Sequence, residues 1–123
     1  MPDRPHILIV DDDAALLENM AECLSGEGFE VSVARDAAAA LARLAEDPRP
    51  AVVIIDQLMP GMTGTELMAR IRSWPALAGV RLVMVSGLPP GRGDGNGGAD
   101  AVLEKPFGVD ALIGTLRAQL AAA

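Results

Sequence analysis

Two short apolar runs, each ending in acid, constrain this chain more than any other feature. Val52 to Ile55 is rich in β-branched residues and leads into Asp56. Pro50 bounds the run upstream, and Pro60-Gly61 bounds it downstream. A continuous run of this kind reads as a strand buried on both faces, as in a parallel sheet. Ile7 to Val10 repeats the pattern and leads into Asp11-Asp12-Asp13. Open α/β sheets place their ligands at the carboxyl ends of strands. Two buried strands that end in acid therefore point to one acidic pocket, with Asp56 as a nucleophile beside a divalent cation.

The remaining elements alternate strand with helix. His6 to Val10 is the first strand, and Asp12 or Asp13 can cap the helix after it. Leu16, Leu17, Met20, Cys23 and Leu24 recur at helical spacing as its buried stripe. Gly26 and Gly28 end that helix. Glu30 to Ala34 is a second strand, with Val31 and Val33 on one face. Asp36 caps an alanine-rich helix that turns Leu41 and Leu44 inward and stops before Pro48. A third helix starts at Gly64, with Leu67, Met68 and Ile71 inward, and Pro75 stops it. Arg81 to Val85 and Ala101 to Leu103 are the fourth and fifth strands. A last helix runs from about Gly108, with Val109, Leu112, Ile113, Leu116 and Leu120 facing in. This alternation predicts a doubly wound parallel α/β sheet of five strands.

One segment breaks the pattern. Gly87 to Gly98 holds six glycines and two prolines in twelve residues. Each interior glycine costs a helix ~1 kcal/mol and a proline ~3 kcal/mol. A loop is expected where a fourth helix would otherwise sit. The face beside strands four and five would then lack cover, a surface suited to a partner or a homodimer.

The carboxylates carry the chemistry. Asp11, Asp12 and Asp56 would crowd together, and crowded carboxylates raise one another's pKa unless a cation neutralises them. An oxygen-only cluster suits Mg²⁺. Asp13 is assigned to capping alone. Ser86 ends the fourth strand and Lys105 follows the fifth, so both fall at the same sheet edge as Asp56. A lysine there supplies a point charge for a phosphoryl oxygen, and a hydroxyl donates to another.

These residues resemble the receiver domains of two-component response regulators, typified by the single-domain chemotaxis regulator. The matching motifs are Asp11-Asp12, Asp56-Gln-Leu-Met-Pro-Gly-Met-Thr-Gly64, Ser86 and Lys105-Pro-Phe107. The resemblance covers essentially the whole chain and implies a flavodoxin-like strand order, 2-1-3-4-5. It implies that Asp56 accepts a phosphoryl group from a phosphohistidine on a partner kinase. It makes Asp12, Asp56 and the backbone carbonyl of Leu58 ligands of Mg²⁺, with Asp11 reaching the metal through water. Ser86 and Lys105 bind the phosphoryl oxygens, and the Lys105-Pro106 bond is cis. Slow self-dephosphorylation follows from the same site, so the chain is a signalling phosphoacceptor and not an enzyme acting on other molecules.

Two departures bear on output. The family's relay pairs the Ser/Thr with an aromatic residue three positions before the lysine, and Val102 stands there. The glycine-rich loop stands where the family's fourth helix would be, and phosphorylation is expected to order it through Ser86. The competing function is a protein-interaction module that works without phosphorylation. A free-standing aspartate-nucleophile hydrolase wants a second acid two residues after the nucleophile, and that residue is Leu58.

Composition narrows the partners. A net charge of -7 argues against direct nucleic-acid contact. No apolar stretch approaches the ~20 residues of a membrane span. The opening Met-Pro-Asp-Arg-Pro lacks a signal peptide's apolar segment, and the single Cys23 cannot form an internal disulfide, so a cytoplasmic setting is expected. The 123 residues are read as one domain, 1–123, either free-standing or taken from a larger protein. Gly93 to Gly98 matches a dinucleotide fingerprint in letters, but it precedes a strand and not a helix. The residues from Asp94 onward fail as a calcium loop, because Lys105 stands where glutamate is required. Arg92-Gly-Asp94 is accidental, His6 is a strand-edge residue, and Cys23 belongs to the core.

Overall fold

β1 (His6–Val10), β2 (Glu30–Ala34), β3 (Val52–Asp56), β4 (Arg81–Ser86) and β5 (Ala101–Glu104) pair in parallel. Their order across the single sheet is β2-β1-β3-β4-β5, the flavodoxin-like order. The computed structural model describes residues 4–87 and 98–122. Four α-helices are found among them: α1 (Ala14–Gly26), α2 (Ala37–Leu44), α3 (Gly64–Arg72) and α4 (Val109–Ala122). The expected loop from Gly87 to Gly98 lies almost wholly outside the described residues.

The strands' two-residue period divides the core. Leu8, Val10, Val53, Ile55, Leu82 and Met84 join the buried residues of α2 and α3 in one cluster. Ile7, Ile9, Val52, Ile54, Val83 and Val85 join those of α1 and α4 in the other. Burying each large aliphatic side chain contributes ~1.5–3 kcal/mol, so sandwiching three central strands supplies most of the drive to fold. The three aromatic residues add little to this. Only Phe29 is fully buried, while Trp74 and Phe107 sit at the margins.

The caps explain where the helices begin. Asp13, not Asp12, caps α1 by accepting from the Leu16 amide, and Asp36 caps α2 through the Ala39 amide. Thr63 and Glu66 form a reciprocal capping box at α3. Pro75 does more than stop α3: it opens a 3₁₀ turn, Pro75–Leu77, at a position where its missing N–H costs nothing.

Several inward residues differ from expectation. Val33 is exposed because β2 is an edge strand, and Val109 is exposed in the first turn of α4. Cys23, Leu41, Ile113 and Leu120 are half-buried at the rims of their helices. The expected bare face over β4 and β5 does not hold at β4. Leu82 and Met84 are buried in a cluster that includes Leu77, Val80 and Ala99, so the 3₁₀ turn and the approach to β5 supply cover. Val102 is the exposed large apolar residue that remains on those two strands. The homodimer surface expected there loses its main support.

Candidate functional site

The carboxyl ends of β1, β3, β4 and β5 converge on one polar edge. Asp11 follows β1, and its amide donates to the Ala34 carbonyl of β2. Asp56 is the last residue of β3, paired in register with Val85 of β4. Ser86 ends β4 and pairs in register with Glu104, and the Lys105 amide donates to the Ser86 carbonyl. The sheet's parallel register thus carries Asp11, Asp56, Ser86 and Lys105 to the same edge.

The carboxylates meet closely. Asp11, Asp12 and Asp56 each offer an oxygen, and these atoms lie within 4.8 Å of one another. Asp11 and Asp56 are buried, whereas Asp12 is open to solvent. Lys105 Nζ lies 3.3 Å from Asp56 Oδ1 and 3.8 Å from Asp11 Oδ2. Burial holds the Asp11 carboxyl above the ordinary range. The Asp13 amide, which donates to Asp11 Oδ1 at 2.9 Å, opposes that shift, while the neighbouring Asp56 charge adds to it.

This donor set fits a small hard cation. An octahedral Mg²⁺ with bonds of about 2.0–2.1 Å holds its ligand atoms roughly 3–4 Å apart. The oxygens, within 4.8 Å of one another, need only slight closure to reach that size. All its donors are oxygens, and the exposed Asp12 leaves room for the waters that Mg²⁺ retains. Ser86 is buried at the same edge, and the Lys105-Pro106 bond is cis, as the resemblance implied. Leu58 stands apart by its side chain, which is 64% exposed.

Sequence reasoning passed over Gln57. This side chain is buried, and its amide oxygen accepts from both the amide and the hydroxyl of Thr65 at the start of α3. A polar residue that directly continues a buried apolar strand was the available signal.

A model of the response regulator receiver domain matches residues 7–117. The chain belongs to the response regulator receiver family. Among curated relatives, the DNA-binding response regulator MtrA of Mycolicibacterium paratuberculosis is 38% identical over 127 residues, covering 95% of this chain and 52% of that protein. The response regulator MprA of Mycolicibacterium vanbaalenii is 38% identical, covering 98% of this chain and 51% of its own length. This receiver therefore spans about half the length of the curated relatives it matches. A CheY-like receiver domain protein from Methanospirillum hungatei superposes with a TM-score of 0.86 at 31% identity, covering 98% of this chain and 96% of its own. The response regulator TrrA of Thermotoga maritima, solved in complex with Mg²⁺-BeF, superposes at 0.82 with 28% identity, covering 93% of this chain and 97% of its own. No helix among the described residues of the receiver is long and apolar enough to cross a membrane.

Proposed function

We propose that residues 1–123 form one phosphoacceptor domain that takes a phosphoryl group onto Asp56 from a phosphohistidine on a histidine kinase or phosphotransfer protein. The observation that carries this reading is the convergence of three carboxylates with one lysine, Nζ 3.3 Å from Asp56 Oδ1. In the transfer, an Asp56 oxygen forms a bond to phosphorus as the bond from phosphorus to the histidine nitrogen breaks. The electron pair stays with the departing imidazole, which then takes up a proton. Asp12, Asp56 and the Leu58 carbonyl would hold Mg²⁺, with Asp11 acting through a bound water. Mg²⁺ supplies neutralisation of the phosphoryl charge, the main requirement of this chemistry. Lys105 moves from pairing with Asp56 to pairing with a phosphoryl oxygen, so its charge is placed before the reaction begins. Ser86 donates to a second phosphoryl oxygen. Hydrolysis at the same site ends the signal, so the domain has no substrate besides itself.

The output is a change in association with a protein partner. A receiver of net charge -7 is assigned no nucleic-acid contact of its own. Val102, exposed where the family's relay has an aromatic ring, favours a second reading in which the module binds its partner without phosphorylation. Incubation with acetyl phosphate and Mg²⁺ separates the two. A mass gain of one phosphoryl group, absent in Asp56→Asn, supports the phosphoacceptor. No gain in the unaltered protein supports the second reading.

A further inference from the structure

We propose that Gln57 is a positioning residue whose side-chain amide fixes Asp56 and the following turn in the geometry that binds the metal; this rests on the Mg²⁺ reading above. Gln57 lies between the buried Asp56 and the exposed Leu58 and is itself only 7% exposed. Its Oε1 accepts from Thr65 N at 2.9 Å and from Thr65 Oγ1 at 3.0 Å. Its backbone N–H donates to the Val85 carbonyl at 3.0 Å, and its carbonyl accepts from Gly64 N at 2.9 Å. One residue thus joins the end of β3 to both β4 and the first turn of α3.

The packing leaves little slack. A Cβ on Gly64 would stand 2.6 Å from the Asp56 carbonyl oxygen and 2.9 Å from Gln57 Cα, so only glycine lets α3 approach this closely. An aliphatic side chain would fill a buried strand end at lower cost than an amide, which must be hydrogen-bonded to offset its desolvation. The amide adds direction. It pins the far end of the turn from Leu58 to Thr63 and prevents the strand end from shifting relative to α3. Mg²⁺ tolerates little departure from octahedral geometry, so a small shift in Asp56 or Leu58 is read directly as lost affinity. Partners hydrogen-bonded to the ligands themselves change metal affinity by about 10- to 100-fold, and Gln57, which acts through the backbone beside Asp56, is expected at the low end of that range.

Calorimetric titration of the intact chain with Mg²⁺ tests this, with far-ultraviolet circular dichroism to confirm folding. Gln57→Met keeps the volume and removes the acceptor; it is expected to weaken Mg²⁺ binding about tenfold. Thr65→Val removes the hydroxyl and leaves the Thr65 amide, and is expected to weaken binding by a smaller factor. A merely structural amide would lower the melting temperature and leave the Kd unchanged, so a folded Gln57→Met variant with an unchanged Kd overturns the proposal. Should Gln57→Met fail to fold, Thr65→Val decides alone: weaker binding supports the proposal, and an unchanged Kd overturns it. An unaltered chain that binds no Mg²⁺ overturns the metal reading and this inference together.

Discussion

At the amino end of the sheet Asp100 lies between two guanidinium groups, whereas at the carboxyl end three carboxylates face one ammonium. Asp100 Oδ2 is 2.6 Å from Arg72 Nη2 and accepts from the Leu82 amide at 2.8 Å, while Oδ1 is 3.7 Å from Arg81 Nη2. Its own amide donates to the Leu82 carbonyl. Arg72 also donates to the Val80 carbonyl, and Arg81 to Gln119 of α4. Every charge in that network has a partner within the chain, and the network ties α3, β4, α4 and the entry to β5. The acid site has the opposite character. Its negative charge exceeds what Lys105 can offset, and two of its carboxylates are buried. One carboxylate against two guanidinium groups leaves a formal charge of +1 with every group partnered, while three carboxylates against one ammonium leave -2, so it is the acid site whose carboxylates lack counter-charge.

That contrast can be broken most forcefully at the amino end. Asp100→Ala leaves two guanidinium groups and the Leu82 amide without their shared acceptor. A loss of about 2 kcal/mol in denaturant unfolding is expected, with Mg²⁺ affinity unchanged. At the carboxyl end the sign reverses. Asp11→Asn keeps an acceptor for the Asp13 amide and removes a buried charge. It should stabilise the metal-free chain by about 0.5–1 kcal/mol, read in the same unfolding experiment, while weakening Mg²⁺ binding.

Titration sharpens the comparison further. The folded Asp11 carboxyl has a raised pKa, chiefly through burial, so the folded chain keeps a proton that the unfolded chain has lost. The contribution of Asp11 to stability therefore falls as pH rises from 3.8 through the raised folded value. Mg²⁺ affinity moves the other way across that window, since the ligands must be ionised. Melting temperatures across the acid range, with and without Mg²⁺, check both slopes.

The smallest expected effect is at His6, which contacts Ser32 and Arg43 at the amino end. Burial, and then the Arg43 charge, lowers its pKa, while Glu30 opposes the shift. The unfolded chain thus binds this proton more readily. Stability should be lost as pH falls through 6.5 toward the lowered value, and His6→Gln should flatten that slope.

The strand order and the acid edge were legible because they rest on local signals. β-branched runs mark the buried strands, and an acid directly after each run marks the carboxyl edge. Asp13 and Asp36 cap as expected, whereas the Thr63 cap of α3 was not read from the sequence. The Asp100 network was not legible, because its partners are 18 to 28 residues away in sequence and nothing local marks them. The cover over β4 was missed for a similar reason. A proline read only as a helix stop gave no sign that Leu77 would fold back onto Leu82 and Met84. Gln57 drew no separate reading, because its partner Thr65 lies eight residues on and nothing local marks the pair. Burial of Val109 was overestimated because helical spacing marks a stripe but does not reveal how far along the helix that stripe is covered.

Peptide mass spectrometry after acetyl phosphate treatment, run with Mg²⁺ and with the metal chelated, tests the central assignment most directly. A phosphoryl group on the peptide containing Asp56, present only with Mg²⁺, is the expected result. Modification elsewhere, or at Asp56 regardless of metal, would contradict the role given to the unbalanced acids.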